Sequence, residues 1–136
     1  MINILIGNRD SKKTKSLEKQ LTNDKKYMIN YVYSGKDTIE MYWKLNPDIL
    51  VLDGNLQDMS IEEIINRLSS SPLEKKKCNT ILVLPSKNKV QLTEVQKVNK
   101  IIYKPYCKEQ LVKSIKDMEI DYNTPDLEVG EVDWLL

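Results

Sequence analysis

An α/β fold, with a five-stranded parallel sheet between two layers of helix, is what this 136-residue sequence predicts. Two observations carry that expectation. Short apolar runs without polar alternation recur along the chain, as they do in strands buried on both faces of a parallel sheet. Between them lie segments with apolar residues at helical spacing, joined by short polar connections, which is the pattern of linked strand–helix–strand units. The clearest run is Ile49-Leu50-Val51-Leu52, entered through Pro47 and left abruptly at Asp53-Gly54-Asn55. An acid at the carboxyl end of a buried central strand sits where open α/β sheets place their ligand crevice, so Asp53 is the first candidate functional residue.

The elements follow in order. Residues 1–7 (MINILIG) form a first apolar strand, and Asp10 or Ser11 can cap a helix with Leu17 and Leu21 inward and Lys12, Lys13, Lys15 and Lys19 outward. Residues 27–33 are rich in β-formers and read as the second strand. Ser34-Gly35-Lys36-Asp37 opens a helix on which Ile39, Tyr42, Trp43 and Leu45 share one side, and Pro47 requires that helix to have ended. After the third strand, Ser60-Ile61-Glu62-Glu63 has the capping-box pattern, in which Ser60 accepts from the Glu63 amide and Glu63 reaches back. Ile61, Ile64, Ile65 and Leu68 then keep a helical period. Residues 74–77 are a solvated charge run, and residues 80–84 (TILVL) form the fourth strand, closed by Pro85. Residues 92–99 form a short helix, residues 100–103 (KIIY) the fifth strand closed by Lys104-Pro105, and Leu111, Val112, Ile115 and Met118 mark a last helix. The expected strand order is 2-1-3-4-5, the flavodoxin-like arrangement. It brings Asn8-Arg9, Asp53-Gly54-Asn55, Pro85-Ser86 and Lys104-Pro105 to one rim.

The totals bound the function. A chain of this length, 40% hydrophobic and 30% charged, is an ordinary globular composition for one domain. No apolar run approaches the ~20 residues of a membrane span. Met1-Ile2-Asn3-Ile4 lacks the basic flank of a signal peptide. Cys78 and Cys107 have no metal-site spacing and read as reduced thiols of a cytoplasmic protein. The absence of histidine removes Ser/His/Asp triads, histidine-ligated metals and a phosphohistidine role. All 21 Lys and Arg lie at or before Lys116 against 13 acids there, a body of charge +8. Seven acids and no base follow, a tail of charge −7. The lysines of the first helix read as a solvated face, since no DNA-reading motif or interleaved aromatics accompany them.

The set Pro47–Asp53 (PDILVLD), Asn55 and Lys104-Pro105 resembles the receiver domain of two-component response regulators, the CheY-like family, over Met1 to Met118. The resemblance implies a non-enzymatic signalling module with helices on both faces of the sheet. It implies Asp53 as acceptor of a phosphoryl group from a histidine kinase and Lys104 as the cation beside it. An acidic pair after the first strand, the acceptor and a carbonyl two residues later would hold Mg2+, here Asn8, Asp53 and the Asn55 carbonyl. The family's Thr or Ser after the fourth strand falls on Pro85, or on Ser86 with a one-residue shift. The family's fifth-strand aromatic is replaced by Ile101, with Tyr103 taken to lie on the opposite face.

Asn8 and Arg9 stand where the family has its two acids. Arg9 cannot ligate a cation, and its charge beside one costs on the order of a few kcal/mol in a partly buried site. Arg9 is therefore expected to pair with Asp53 in place of the metal. The resulting expectation is an atypical receiver that works through protein–protein contacts, with Arg9, Asp53 and Lys104 as a fixed charge cluster. The alternative is a working switch phosphorylated on Asp53. A homodimer through Leu92 to Met118, where the family's partner surface maps, is the expected assembly, with no membrane and no direct nucleic-acid contact. A flavin enzyme of the same architecture is disfavoured, because Asn8-Arg9-Asp10-Ser11-Lys12 lacks the character of a phosphate cradle. Glu119 to Leu136 reads either as an acidic linker or as a docking tail ending in Trp134-Leu135-Leu136.

Overall fold

The computed structural model describes residues 1–22, 26–69, 78–85 and 98–123. In chain order the elements are β1 (Ile2–Gly7), α1 (Ser11–Thr22), β2 (Tyr27–Val32), α2 (Gly35–Leu45), β3 (Ile49–Asp53), α3 (Ile61–Ser69), β4 (Asn79–Leu84), β5 (Lys100–Tyr103) and α4 (Lys108–Asn123). The strands form one sheet in the order β2-β1-β3-β4-β5, every pair parallel. The expected architecture and order are those observed.

Strand alternation divides the core into two layers. Ile4, Ile6, Ile49, Val51, Ile81 and Val83 face α1 and α4, where Leu17, Leu21, Leu111, Ile115 and Met118 cover them. Leu5, Leu50, Leu52, Leu82 and Leu84 face the other way, onto Ile61, Ile64 and Ile65 of α3 and Ile39, Tyr42 and Leu45 of α2. All five residues of β3 are buried, which is why its sequence has no polar alternation.

Local chemistry sets the element ends. Asp10 Oδ1 accepts from the Lys12 amide at 3.0 Å, so Asp10 rather than Ser11 caps α1. Ser34 Oγ accepts from the Asp37 amide at 3.1 Å at the start of α2. That helix ends at Asn46, whose φ of 50° places it in the left-handed region, directly before Pro47. Gly35 lies so close to the 54–60 loop that an added Cβ would meet Met59 Cβ at 2.9 Å. Gly35→Ala is therefore expected to destabilise the fold by about 1 kcal/mol, as read from the denaturation midpoint. The overpacking cost of ~1–3 kcal/mol outweighs alanine's better helix propensity.

Several expectations change. Trp43 does not share the buried side of α2. It is 36% exposed and stacks edge-on against Tyr42 with ring centroids 5.3 Å apart. One residue past Tyr42 is a ~100° turn around the helix, enough to carry the indole to its margin. Only half of the α3 capping box forms: Ser60 Oγ accepts from the Glu63 amide at 3.1 Å, while the Glu63 carboxylate turns outward to Arg67 at 3.2 Å. Ile101 and Tyr103 pack on the same face of the sheet, as residues two apart on a strand must. The last helix runs on past Met118 to Asn123, through the first residues assigned to the tail. Among the described residues there are four helices. The charge run at 74–77, Ser86, residues 92–97 of the expected fourth helix, and residues 124–136 lie outside the described residues. Among those described, no helix is long and apolar enough to cross a membrane.

Candidate functional site

The carboxyl ends of β1, β3 and β4 and the start of the segment after β5 meet at one rim, and Asp53 is at its centre. Asp53 ends β3 opposite Val83 and, by alternation, shares the face of Ile49 and Val51, towards α1 and α4. It is 1% exposed. A carboxylate taken that far from water needs its charge and lone pairs met. Lys104 Nζ donates to Oδ1 at 2.8 Å, the Asn55 amide donates to the same oxygen at 2.9 Å, and Asn8 Nδ2 donates to Oδ2 at 3.3 Å.

The surrounding backbone is pinned. The Gly54 amide donates to Val83 O at 2.8 Å and the Lys104 amide to Leu84 O at 2.8 Å, so both flanks of the pair hang on β4. The Lys104–Pro105 peptide is cis. Asn55 also binds sideways: its Nδ2 donates to Asn8 Oδ1 at 2.8 Å, and its Oδ1 accepts from the Arg9 amide at 3.0 Å. Asn8 Oδ1 accepts a second bond from the Asp10 amide at 2.8 Å. These bonds determine which way the Asn8 amide is turned. Its oxygen is committed to Asp10 and Asn55, so its NH2 group faces Asp53.

Lys104, Asp53, Asn8 and Asn55 are thus brought together as the strand ends predicted, with Asn55 contributing its side chain and amide. Arg9 is a correction. Its side chain is exposed, and among the described residues the cation on Asp53 is Lys104 alone. The reason is alternation carried one step past β1: Ile4, Ile6 and Asn8 face the acid's side, which sends Arg9 outward. Gly7 faces the other way and is crowded there. A Cβ on it would approach Thr38 Oγ1 to 2.8 Å. Pro85 is exposed.

Two residues were not singled out from sequence. Tyr106, half-buried just beyond Lys104-Pro105, has its phenol pushed up in pKa by burial and then by the Asp53 charge. Its place directly after the Lys-Pro pair was the available signal. Asp58 clamps the amino end of α2 from the loop that follows Asp53, accepting from the Gly35 amide at 2.7 Å and the Lys36 amide at 3.0 Å. Those bonds, Gly35 first, hold its carboxyl below the ordinary 3.8. A depressed carboxylate stabilises the fold above its unfolded pKa, and that contribution is lost as pH falls through the folded value. Wild type should therefore exceed Asp58→Asn in stability at neutral pH, and the gap should close below roughly pH 4, checked by denaturant titration at each pH.

Magnesium asks for near-octahedral oxygen ligands, usually with one or two carboxylates. Among the described residues the carboxylate at the centre of this rim, Asp53, already accepts three hydrogen bonds, and beside it lies an amide turned nitrogen-first. Among the described residues no group of three acids, cysteines or histidines is placed to hold a metal. The donor set does not fit the ion.

No family model matches the chain, and no curated protein does. Solved structures do. A CheY-like response regulator receiver domain from Methylobacillus flagellatus superposes with a TM-score of 0.72 at 20% identity, covering 86% of this chain and 98% of its own. The signal receiver domain of a response regulator from Bermanella marisrubri gives 0.71 at 20% identity, over 85% and 95%. A DNA-binding response regulator of the LuxR family from Staphylococcus aureus gives 0.71 at 18% identity, over 86% and 98%. At these identities the likeness establishes the fold, and the chain has the fold of a response-regulator receiver domain.

Proposed function

We propose that this chain is an atypical receiver module in two-component signalling, a binding module rather than an enzyme. It acts through contact with a histidine kinase or another signalling protein. Asp53 stands at the phosphoacceptor position, and its carboxylate is held by Lys104, Asn55 and Asn8 in one conformation instead of by a metal. One observation carries this reading: the Asn8 NH2 group faces Asp53 where a metal-binding receiver needs an oxygen. A carboxylate is a weak nucleophile and requires the incoming phosphate's charge to be quenched before it attacks. At this rim Lys104 is the cation in place to do so, and it is already engaged at 2.8 Å. A homodimer through residues 92–118 belongs to the same proposal, since a twofold contact between like faces is the commonest assembly.

A second reading is favoured by that same Lys104 contact. The acceptor and its basic partner are adjacent, so a histidine kinase could use Asp53 as a working switch that rearranges the rim. Intact mass separates the two. The chain is incubated with acetyl phosphate, with and without Mg2+, beside Asp53→Ala. The expected result is no adduct in any arm. A magnesium-dependent phosphoryl adduct that Asp53→Ala lacks overturns the locked reading in favour of the switch.

A further inference from the structure

Beside Asp53, between α1, α4 and the sheet, lies a cavity of about 520 Å³, which the chemistry at Asp53 does not explain. Its size falls within the ~300–1,000 Å³ of small-molecule sites. Its floor is apolar and comes from five different elements: Ile6 of β1, Val51 of β3, Val83 of β4, Leu17 of α1 and Leu111 of α4. Its mouth is polar, with Ser16, Lys104, Tyr106 and Lys108 around it and Asn8 and Asp53 at one wall. An apolar floor under a few convergent polar groups is the form a ligand site takes.

The charges choose the ligand. Among the described residues the lining holds two ammonium groups, Lys104 and Lys108, and one carboxylate, Asp53. The Asp53 oxygens are taken by three donors, so that acid has little left to offer a cation. Lys108 Nζ donates to the neutral Ser16 hydroxyl at 2.7 Å, and no ion pair of Lys108 is present among the described residues. The acid that feels its charge, the neighbouring Glu109, is exposed and is not among the described residues of the lining, so within the cavity the Lys108 ammonium faces the mouth. We propose that this cavity binds a small amphipathic anion, with the carboxylate or phosphate head on Lys108 and Ser16 and the apolar body over Val51, Val83 and Leu111. The site stands apart from phosphorylation, so it does not depend on the reading of Asp53 given above. It does adjoin the Lys104–Asp53 pair, so an occupant would report its presence to the rim without a phosphoryl donor.

The test uses the full 15N-labelled chain titrated with octanoate and, separately, with 1-octanol. Amide shifts report the site, and circular dichroism confirms that each variant is folded. Octanoate should give saturable shifts confined to residues around Leu17, Val83 and Leu111, with weaker binding by 1-octanol. Lys108→Gln should weaken octanoate roughly fivefold, the loss of about one exposed charge contact. Ser16→Trp, which fills the mouth from the half-buried face of α1, should abolish the shifts. Three outcomes overturn the proposal: no saturable shifts up to roughly 5 mM octanoate, equal affinity for octanoate and 1-octanol, or unchanged octanoate binding in folded Ser16→Trp. The mass experiment reads an adduct on Asp53 and this titration reads a reversible ligand, so the failure of either leaves the other standing.

Discussion

Lys104→Met will lower the stability of the fold by about 2–3 kcal/mol, a fall of roughly 10 °C in Tm for a domain of this size. Methionine keeps the length and the apolar stem of the lysine and removes its charge, so the packing of the β5 exit changes little. What changes is Asp53. It is 1% exposed, and it would then hold a full negative charge against two neutral amide donors, Asn8 Nδ2 and the Asn55 amide. Breaking a fully buried pair from one side costs about 3–5 kcal/mol. The lower figure reflects the Lys104 side chain, which is 26% exposed, and the two donors that stay.

The reverse substitution should cost less. Asp53→Ala frees Lys104 to swing its ammonium into water, a route that is closed to the buried acid. Its cost should be about 1 kcal/mol, chiefly the lost acceptors for Asn8 and Asn55. On that background Lys104→Met should add at most about 0.5 kcal/mol, so the two changes are strongly coupled. Denaturation midpoints of the four proteins decide it. Equal and additive costs would mean that the 2.8 Å contact contributes nothing to the held conformation, and the fixed-cluster reading would fall with it.

How far the sequence reveals this site depends on which interactions are local in one dimension. The sheet was legible because burial on both faces leaves a mark on every residue of a strand: β3 reads ILVLD and all five positions are buried. Asp53 and Lys104 were legible because strand order alone brings strand ends to a rim. The inward turn of Asn8 was legible too, by continuing the parity of Ile4 and Ile6. The resemblance drew attention to the charge on Arg9 instead, and charge does not say which way a side chain points. Trp43 went astray for a related reason, since hydrophobicity named it a core residue while the helical angle put it at the edge of α2. The Asp58 clamp joins a loop to the amino end of α2, 23 and 22 residues away in sequence, and no short-range pattern signals it. The cavity was invisible altogether. Its volume is set by how α1 and α4 stand off the sheet, and every one of its apolar lining residues reads simply as core.

The inward turn of Asn8 moves the most consequential experiment from Arg9 to its neighbour. Asn8→Asp should make the chain respond to magnesium, while Arg9→Asp alone should not. An aspartate at position 8 keeps one oxygen for the Asp10 amide and Asn55 Nδ2, as the present amide does. Its second oxygen replaces the NH2 group that now faces Asp53 at 3.3 Å. Two carboxylates then confront each other in a mostly buried rim, a repulsion that a divalent cation relieves. In the metal-free variant the fold should be weakened. Saturating Mg2+ at about a hundred times its Kd should raise stability by about 2.7 kcal/mol, a shift the parent protein does not show. Acetyl phosphate should then give a magnesium-dependent phosphoryl adduct on Asp53 where the parent gives none, because the attacked phosphoryl group would meet two cations where it now meets one. Arg9→Asp changes an exposed side chain at the edge of the rim, and on its own it should shift neither the magnesium response nor the adduct. If instead Arg9→Asp restores both and Asn8→Asp restores neither, the block lies in the arginine's charge, and the orientation of the Asn8 amide is not what closes this site to metal.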